Sequence, residues 1–275
     1  PTTAAAKDTT AAAADSGSTA AADSGSATGD VTADVQKIID AGVLKVGVKT
    51  DVPCFSLQNT ATGEYEGLED DLAYNIAGKI FGCTPDEAKE KKLVEFQGVT
   101  AKTRGPLVEN GELDMVIATF TITEERKETY NFSTPYFTDA VGLLVLKDSG
   151  INSIEDLDGK VIGVAQGSTS QKGFEAYVAE KGINVKPTFE EFDGYPALAA
   201  ALSAKNIDVF SVDRAILAGY RDDTNKLLDD RYAEQEYGVC TKKENTGLAE
   251  LVDGVVTDLK DSGKLAEMIK DWGIE

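Results

Sequence analysis

The chain predicts an α/β fold of two lobes, each a mostly parallel sheet flanked by helices. Three observations predict it. Short apolar, strand-like runs alternate with amphipathic, helix-like ones from residue 34 onward. The alternation falls into two blocks, about 34–139 and 142–232, with a C-terminal remainder. A length of 275 residues suits two medium α/β domains better than one. Repeated β-α-β order implies parallel strands covered by helices on both faces.

Residues 1–33 are expected to be a disordered low-complexity linker. Up to Asp30 they are almost wholly Ala, Thr, Ser, Gly and Asp, with nothing to offset the entropy of ordering. Val43–Lys49 then reads as a strand. Leu68, Leu72, Ile76 and Ile80 recur every four residues and mark a helix stopped by Gly82. Leu93–Phe96 and Met115–Phe120 are further strands, with a helix-like stretch at Lys102–Glu109 between them. The second block repeats the scheme: strands at Leu143–Leu146, Val161–Val164 and Ile207–Val212, helices at Gly173–Glu180, Tyr195–Ala204 and Ala215–Arg221. Val239–Thr241 reads as a strand, and Leu248 to Trp272 as helices.

Composition narrows the chemistry. There are 27 Lys+Arg against 48 Asp+Glu, a net charge of −21. Such a surface repels phosphate backbones and anionic membranes, so no nucleic-acid partner is expected. Histidine is absent, which removes His-assisted triads, HExxH zinc sites and His pH switching. Cys54, Cys83 and Cys240 form no CxxC pair, so no metal or other cofactor is expected. Cys83 follows a helix that carries it roughly 20 Å from Cys54 at about 1.5 Å per residue, beyond disulfide reach. A pairing of Cys240 with either stays open. No charged-then-apolar segment begins the chain, so a signal peptide would have been removed or left off.

In open α/β sheets, ligands sit beyond the carboxyl ends of the strands. That places Lys49, Ala118–Arg126, Gln166–Ser170 and Asp213 at one crevice. The hydroxyls, free N–H groups and Arg126 guanidinium of Ala118–Arg126 suit a carboxylate, because the planar fork makes two charge-assisted hydrogen bonds. The plain alternative is that Thr123 caps a helix and Arg126 pairs with a surface acid. Gln166-Gly167-Ser168-Thr169-Ser170 offers a helix N-terminus, or simply an N-cap. Asp213 would accept from an ammonium group, or cap the next helix. Lys49 and Arg104, taken alone, read as solvated charges.

Together these residues resemble the substrate-binding proteins of bacterial polar amino-acid ABC importers, with a type II periplasmic-binding-protein-like fold. The resemblance runs from about Ile38 to Trp272. It is carried by Val46–Pro53, Gly67–Ala73, Ala101–Arg104 with Leu107, Gly111–Asp114, Ala118–Arg126, Asn131–Tyr136, Asp156–Lys160, Gln166–Thr169 and Val212-Asp213. It is nearest to the aspartate/glutamate-binding branch. The resemblance implies that Arg126, Thr121 and Thr169 hold the ligand α-carboxylate, and that Asp213 and the backbone around Thr119 take the α-ammonium. Lys49 and Arg104, with Ser170 nearby, would meet a distal carboxylate; Tyr195 would close one wall and Phe55 cover the aliphatic part. Leu68-Glu69-Asp70-Asp71 departs from the commoner Phe-Glu-Val-Asp, a change read as touching packing and not the site. Cys54 beside the ligand loop is a second departure.

The implied organisation is lobe I from residues 34–139 plus 238–275, and lobe II from 140–237. Tyr136–Val141 and Glu234–Gly238 are the expected crossing segments. The implied function is an extracytoplasmic, non-enzymatic, monomeric receptor, either a cell-surface lipoprotein or periplasmic. It would bind free glutamate or aspartate and deliver it to an ABC-importer membrane permease by hinge closure. The alternatives are a glutamine or other polar amino-acid receptor of the same class, a small-acid dehydratase on this scaffold, and a sensory ligand-binding domain.

Overall fold

The computed structural model describes residues 31–274, so the linker expected over 1–33 lies outside the described residues up to Asp30. Ala33 already belongs to helix α1 (Ala33–Ala41), which Gly42 ends in the left-handed conformation. Strand β1 (Leu44–Val48) follows, then a small antiparallel sheet of β2 (Asp51–Val52), β3 (Ser56–Gln58) and β4 (Tyr65–Glu66). Helix α2 (Leu68–Phe81) buries Leu68, Leu72, Ile76 and Ile80, and Gly82 stops it. Helix α3 (Pro85–Glu90), strand β5 (Val94–Gly98), helix α4 (Arg104–Glu109), strand β6 (Met115–Val116), helix α5 (Glu124–Thr129) and strand β7 (Tyr130–Phe132) complete the first half.

Strand β8 (Phe137–Leu146) carries the chain into the second half. There follow β9 (Val161–Ala165), α6 (Ser170–Lys181), β10 (Thr188–Phe192), α7 (Tyr195–Ser203), β11 (Val209–Asp213), α8 (Arg214–Ala218) and β12 (Asn225–Leu227). Strand β13 (Tyr232–Tyr237) runs back, antiparallel to the first half of β8. Strand β14 (Cys240–Lys242) then enters the first sheet, and helices α9 (Thr246–Asp261) and α10 (Lys264–Asp271) end the description. Trp272 Nε1 donates to Asp71 of α2 at 2.8 Å, tying the tail to the first half.

The two sheets have orders β5-β1-β6-β14-β7 and β10-β9-β11-β8-β12, with β13 also on β8. They are mixed, more than the mostly parallel sheets expected. The β5-β1-β6 and β10-β9-β11 pairings are parallel. The strands that cross between lobes or return from them, β8, β13 and β14, pair antiparallel because they run against the β-α-β direction. The strand expected over Met115–Phe120 ends at Val116; Thr119 takes a φ of +45°, which turns the chain out of the sheet. Cys54, Cys83 and Cys240 are free thiols.

Candidate functional site

On the first-lobe side, β1 delivers Lys49 into a buried position at its carboxyl end, 1% exposed. Its Nζ lies 3.1 Å from Asp51 Oδ1 and 4.5 Å from the centre of the Tyr195 ring. Burial lowers the Lys49 pKa, and the Asp51 carboxylate works against that shift. A buried cation persists because it has such a partner. Asp51 is also gripped from the other lobe: Tyr220 hydroxyl donates to its carbonyl at 2.6 Å, and the Tyr195 N–H to its Oδ2 at 3.4 Å.

Arg104 opens α4 and is buried. Its Nη1 donates to the carbonyls of Ala118 (2.6 Å) and Thr119 (3.1 Å), while its Nε is buried without a partner. Thr119 N–H donates to Glu69 Oε1 at 2.6 Å, and the same oxygen accepts from Tyr136 hydroxyl at 2.6 Å. Glu69 therefore joins the Thr119 turn to the start of the crossing strand. Burial pushes its carboxyl up to about 7, against the hydrogen bonds from Tyr136 and Thr119. Glu69, common to both versions of the Leu68–Asp71 motif, thus holds the site's backbone.

Arg126, in α5, donates from Nη1 to Thr121 carbonyl (2.7 Å) and from Nη2 across the cleft to Gly167 carbonyl (3.0 Å). The Arg104 and Arg126 guanidinium carbons lie 4.2 and 4.6 Å from the centre of the Phe120 ring. Burial, with Arg104 nearby, pulls the Arg126 pKa down to about 9. Thr123 does cap α5, accepting from the Arg126 N–H at 3.1 Å, yet the Arg126 side chain pairs with no acid among the described residues. One half of the fork binds its own lobe and the other bridges to the second lobe.

From the second lobe come Gly167, Thr169, Ser170, Tyr195 and Asp213. Gly167 has a φ of +75°, and a Cβ there would stand 3.0 Å from Ala101 carbonyl and Lys102 Cα of the other lobe. Only glycine allows this approach. Thr169 Oγ1 and Thr121 Oγ1 each donate to Gln235 Oε1 at 2.7 Å. Ser170 Oγ and Thr119 Oγ1 are buried without partners. Asp213 does not cap α8; Asp139 accepts the Ala215 N–H instead, at 2.8 Å. The Asp213 carboxylate accepts from Tyr237 hydroxyl, and burial pushes its pKa up to about 7.

Thr121, Arg126, Gly167, Thr169 and Gln235 line a cavity of about 960 Å³ between the lobes. Lys49, Arg104, Thr119, Ser170, Tyr195 and Asp213 are all buried and do not line that cavity. Phe55 sits apart from the Arg126 wall. It packs edge-on against Phe137 (5.2 Å) and Tyr237 (6.0 Å) and lines a separate cavity of about 980 Å³ with Cys54 and Asp139. Sequence reasoning missed Asp51, Glu69, Gln235 and Tyr237. Asp51 had a signal: it stands two residues after Lys49, the same-face spacing of extended chain.

Asp70 adds a further buried acid. Ser56 Oγ lies 2.7 Å from Lys49 carbonyl and 3.0 Å from Asp70 Oδ1. One hydroxyl has one proton, so both contacts form when Asp70 is protonated and donates to Ser56. Burial pushes the Asp70 carboxyl up to about 8. Glu69, Asp70 and Asp213 thus all titrate above their ordinary values of 3.8 to 4.5. These three groups hold more protons in the folded chain than in the unfolded one from about pH 4 to about pH 8, and the stability they contribute falls as pH rises through that window. Thermal melts are expected to show a higher midpoint near about pH 5.5 than near about pH 8; the reverse order would mean these groups are ionised when folded.

Comparison with known proteins follows the same lines. The profile described as bacterial extracellular solute-binding proteins, family 3, matches residues 44–275. The chain is 41% identical over 216 residues to a glutamine-binding protein of Geobacillus stearothermophilus, covering 78% of each. It is 35% identical over 238 residues to the ABC transporter glutamine-binding protein GlnH of Bacillus subtilis (strain 168), covering 86% of this chain and 82% of that one. Among solved structures it is similar to an ancestral arginine-binding protein bound to arginine, with 30% identity, a TM-score of 0.71, and 84% and 98% of the chains covered. Among the described residues, no helix is long and apolar enough to cross a membrane.

Proposed function

This chain belongs to the bacterial extracellular solute-binding proteins, family 3, and on that premise we propose that it closes two lobes around one free glutamine and delivers it to the permease of an ABC importer. Arg126, Thr121 and Thr169 would take the α-carboxylate, and Asp213 the α-ammonium. Ligand touching both lobes stabilises the closed arrangement only, so binding shifts the population toward it. The ligand leaves chemically unchanged.

One observation carries the choice of side chain: the buried Lys49–Asp51 pair at 3.1 Å. The acidic preference expected from the sequence needed Lys49 as a free cation. Neutralised by Asp51, that end presents donors and an acceptor together, the complement of a carboxamide. The amide oxygen would accept from Lys49 Nζ and Arg104 Nε, and its NH₂ would donate to Asp51 Oδ1. A second carboxylate would face Asp51 at the cost of like-charge repulsion. The two glutamine-binding relatives support the same reading.

A glutamate or aspartate receptor remains the second reading, favoured by Arg104. No carboxylate among the described residues lies within ion-pair distance of it, as all nine ion pairs there use lysine. Titration calorimetry with glutamine, glutamate, asparagine and aspartate separates the two. Wild type is expected to bind glutamine tightest, and Asp51→Asn, which leaves Lys49 uncompensated, to reduce the glutamine-over-glutamate ratio by about tenfold or more. If wild type prefers glutamate and loses that preference in Arg104→Ala, the acidic reading is the right one.

A further inference from the structure

Gln235 lies on β13, opposite Asp139 of β8, and is buried. Its amide orientation is settled by its neighbours. Nε2 donates to Ala233 carbonyl at 2.7 Å, which leaves Oε1 as the atom that receives Thr121 Oγ1 and Thr169 Oγ1, each at 2.7 Å. The Ala233 carbonyl is presented by an irregularity in the strand: Ala233 has a φ of +49°, and the β8–β13 register shifts between Tyr232 and Glu234. The backbone thus departs from regular geometry where it orients this one amide.

Two hydroxyl donors from opposite lobes therefore converge on a single sp² oxygen carried by a crossing strand. Two O–H groups meeting one carbonyl-type oxygen is also how a ligand carboxylate oxygen would be held. Each hydroxyl has a single proton, so donating to Gln235 and donating to a ligand are mutually exclusive. We propose that Gln235 is an affinity-determining residue, an internal stand-in for the ligand α-carboxylate that competes with it for the Thr121 and Thr169 hydroxyls. By satisfying both, it removes the penalty of burying them unpaired whenever the lobes meet. The ligand must then displace it, which caps affinity. This inference rests on the proposed assignment of Thr121 and Thr169 to the α-carboxylate.

The test is calorimetry with L-glutamine on wild type, Gln235→Leu and Gln235→Met, the last keeping side-chain length and flexibility without the acceptor. Each variant is also melted without ligand. The variants are expected to bind glutamine roughly fivefold to tenfold more tightly, because two contested hydrogen bonds are freed. Both should melt at lower temperature, because the hydroxyls lose their partner. Unchanged or weaker binding in whichever variant folds overturns the competition. Wild type that binds none of glutamine, glutamate, asparagine or aspartate would instead overturn the underlying function, which keeps the two failures distinct.

Discussion

Arg126→Ala is expected to weaken glutamine binding by about 100-fold or more, the largest effect of any single substitution in the cleft. Truncating one partner of a buried, hydrogen-bonded charge pair costs roughly 2–5 kcal/mol, and Arg126 lines the same cavity as Thr121 and Thr169. Its Nη1 and Nη2 reach carbonyls of both lobes, at 2.7 and 3.0 Å. The substitution therefore removes an interlobe contact as well as a ligand contact. Arg126→Lys should recover only part of the loss, since a point charge cannot reproduce the planar fork. Calorimetry gives the affinities, and a melt without ligand checks that the variant folds. A loss smaller than about fivefold would place the α-carboxylate elsewhere.

The second large effect concerns folding. Gly67→Ala should lower stability by about 3 kcal/mol or more, since overlap with fixed backbone is among the few mechanisms that give large changes. A Cβ at position 67 would stand 2.0 Å from Phe55 carbonyl oxygen and 2.8 Å from Ser56 nitrogen, and neither can yield as a flexible side chain would. The first N–H groups of α2 are satisfied by this same segment, with Leu68 donating to Cys54 carbonyl and Glu69 to Phe55 carbonyl, each at 2.9 Å. Displacing it unseats the helix start and with it the Glu69 carboxylate that holds Thr119. The melting midpoint should fall by roughly 6 °C or more. A shift under about 2 °C would show that the turn can relax.

The parts of the molecule that follow periodicity were legible in the sequence. The four-residue spacing of Leu68, Leu72, Ile76 and Ile80 gave α2 and its stop at Gly82, and the apolar runs gave β1, β9 and β11. Strand-end placement directed attention to Lys49, Arg126, Thr169 and Asp213, and the family resemblance added Arg104. What escaped was set by tertiary contact. Glu69 and Asp70 look like first-turn surface acids, and only the packing of Tyr136, Thr119 and Ser56 shows them buried. Gln235 reads as a polar residue on a crossing strand until two threonines from distant segments meet it. Helix α3 was missed despite a readable signal: Thr84 and Glu87 form a capping box around Pro85.

The proposed glutamine reading departs from the acidic preference expected from the sequence for a related reason. Counting Lys49 as a free charge ignores the Asp51 carboxylate 3.1 Å away, and a buried charge is defined by its partner as much as by its type. Asp51 was in view two residues away, and the spacing alone placed it on the same face.

The grip of the second lobe on Asp51 has a temporal consequence. Asp51 belongs to the strand-end loop of the first lobe, yet Tyr220 and the Tyr195 backbone orient it from the second. In the proposed closure, a ligand arriving on the first lobe would meet Lys49 before these second-lobe contacts to Asp51 form. Under the proposed glutamine reading, sorting an amide from a carboxylate would then fall to retention and not arrival: both could dock, and the mismatched one would depart sooner. In such a receptor, dwell time carries the discrimination, and encounter frequency carries almost none of it.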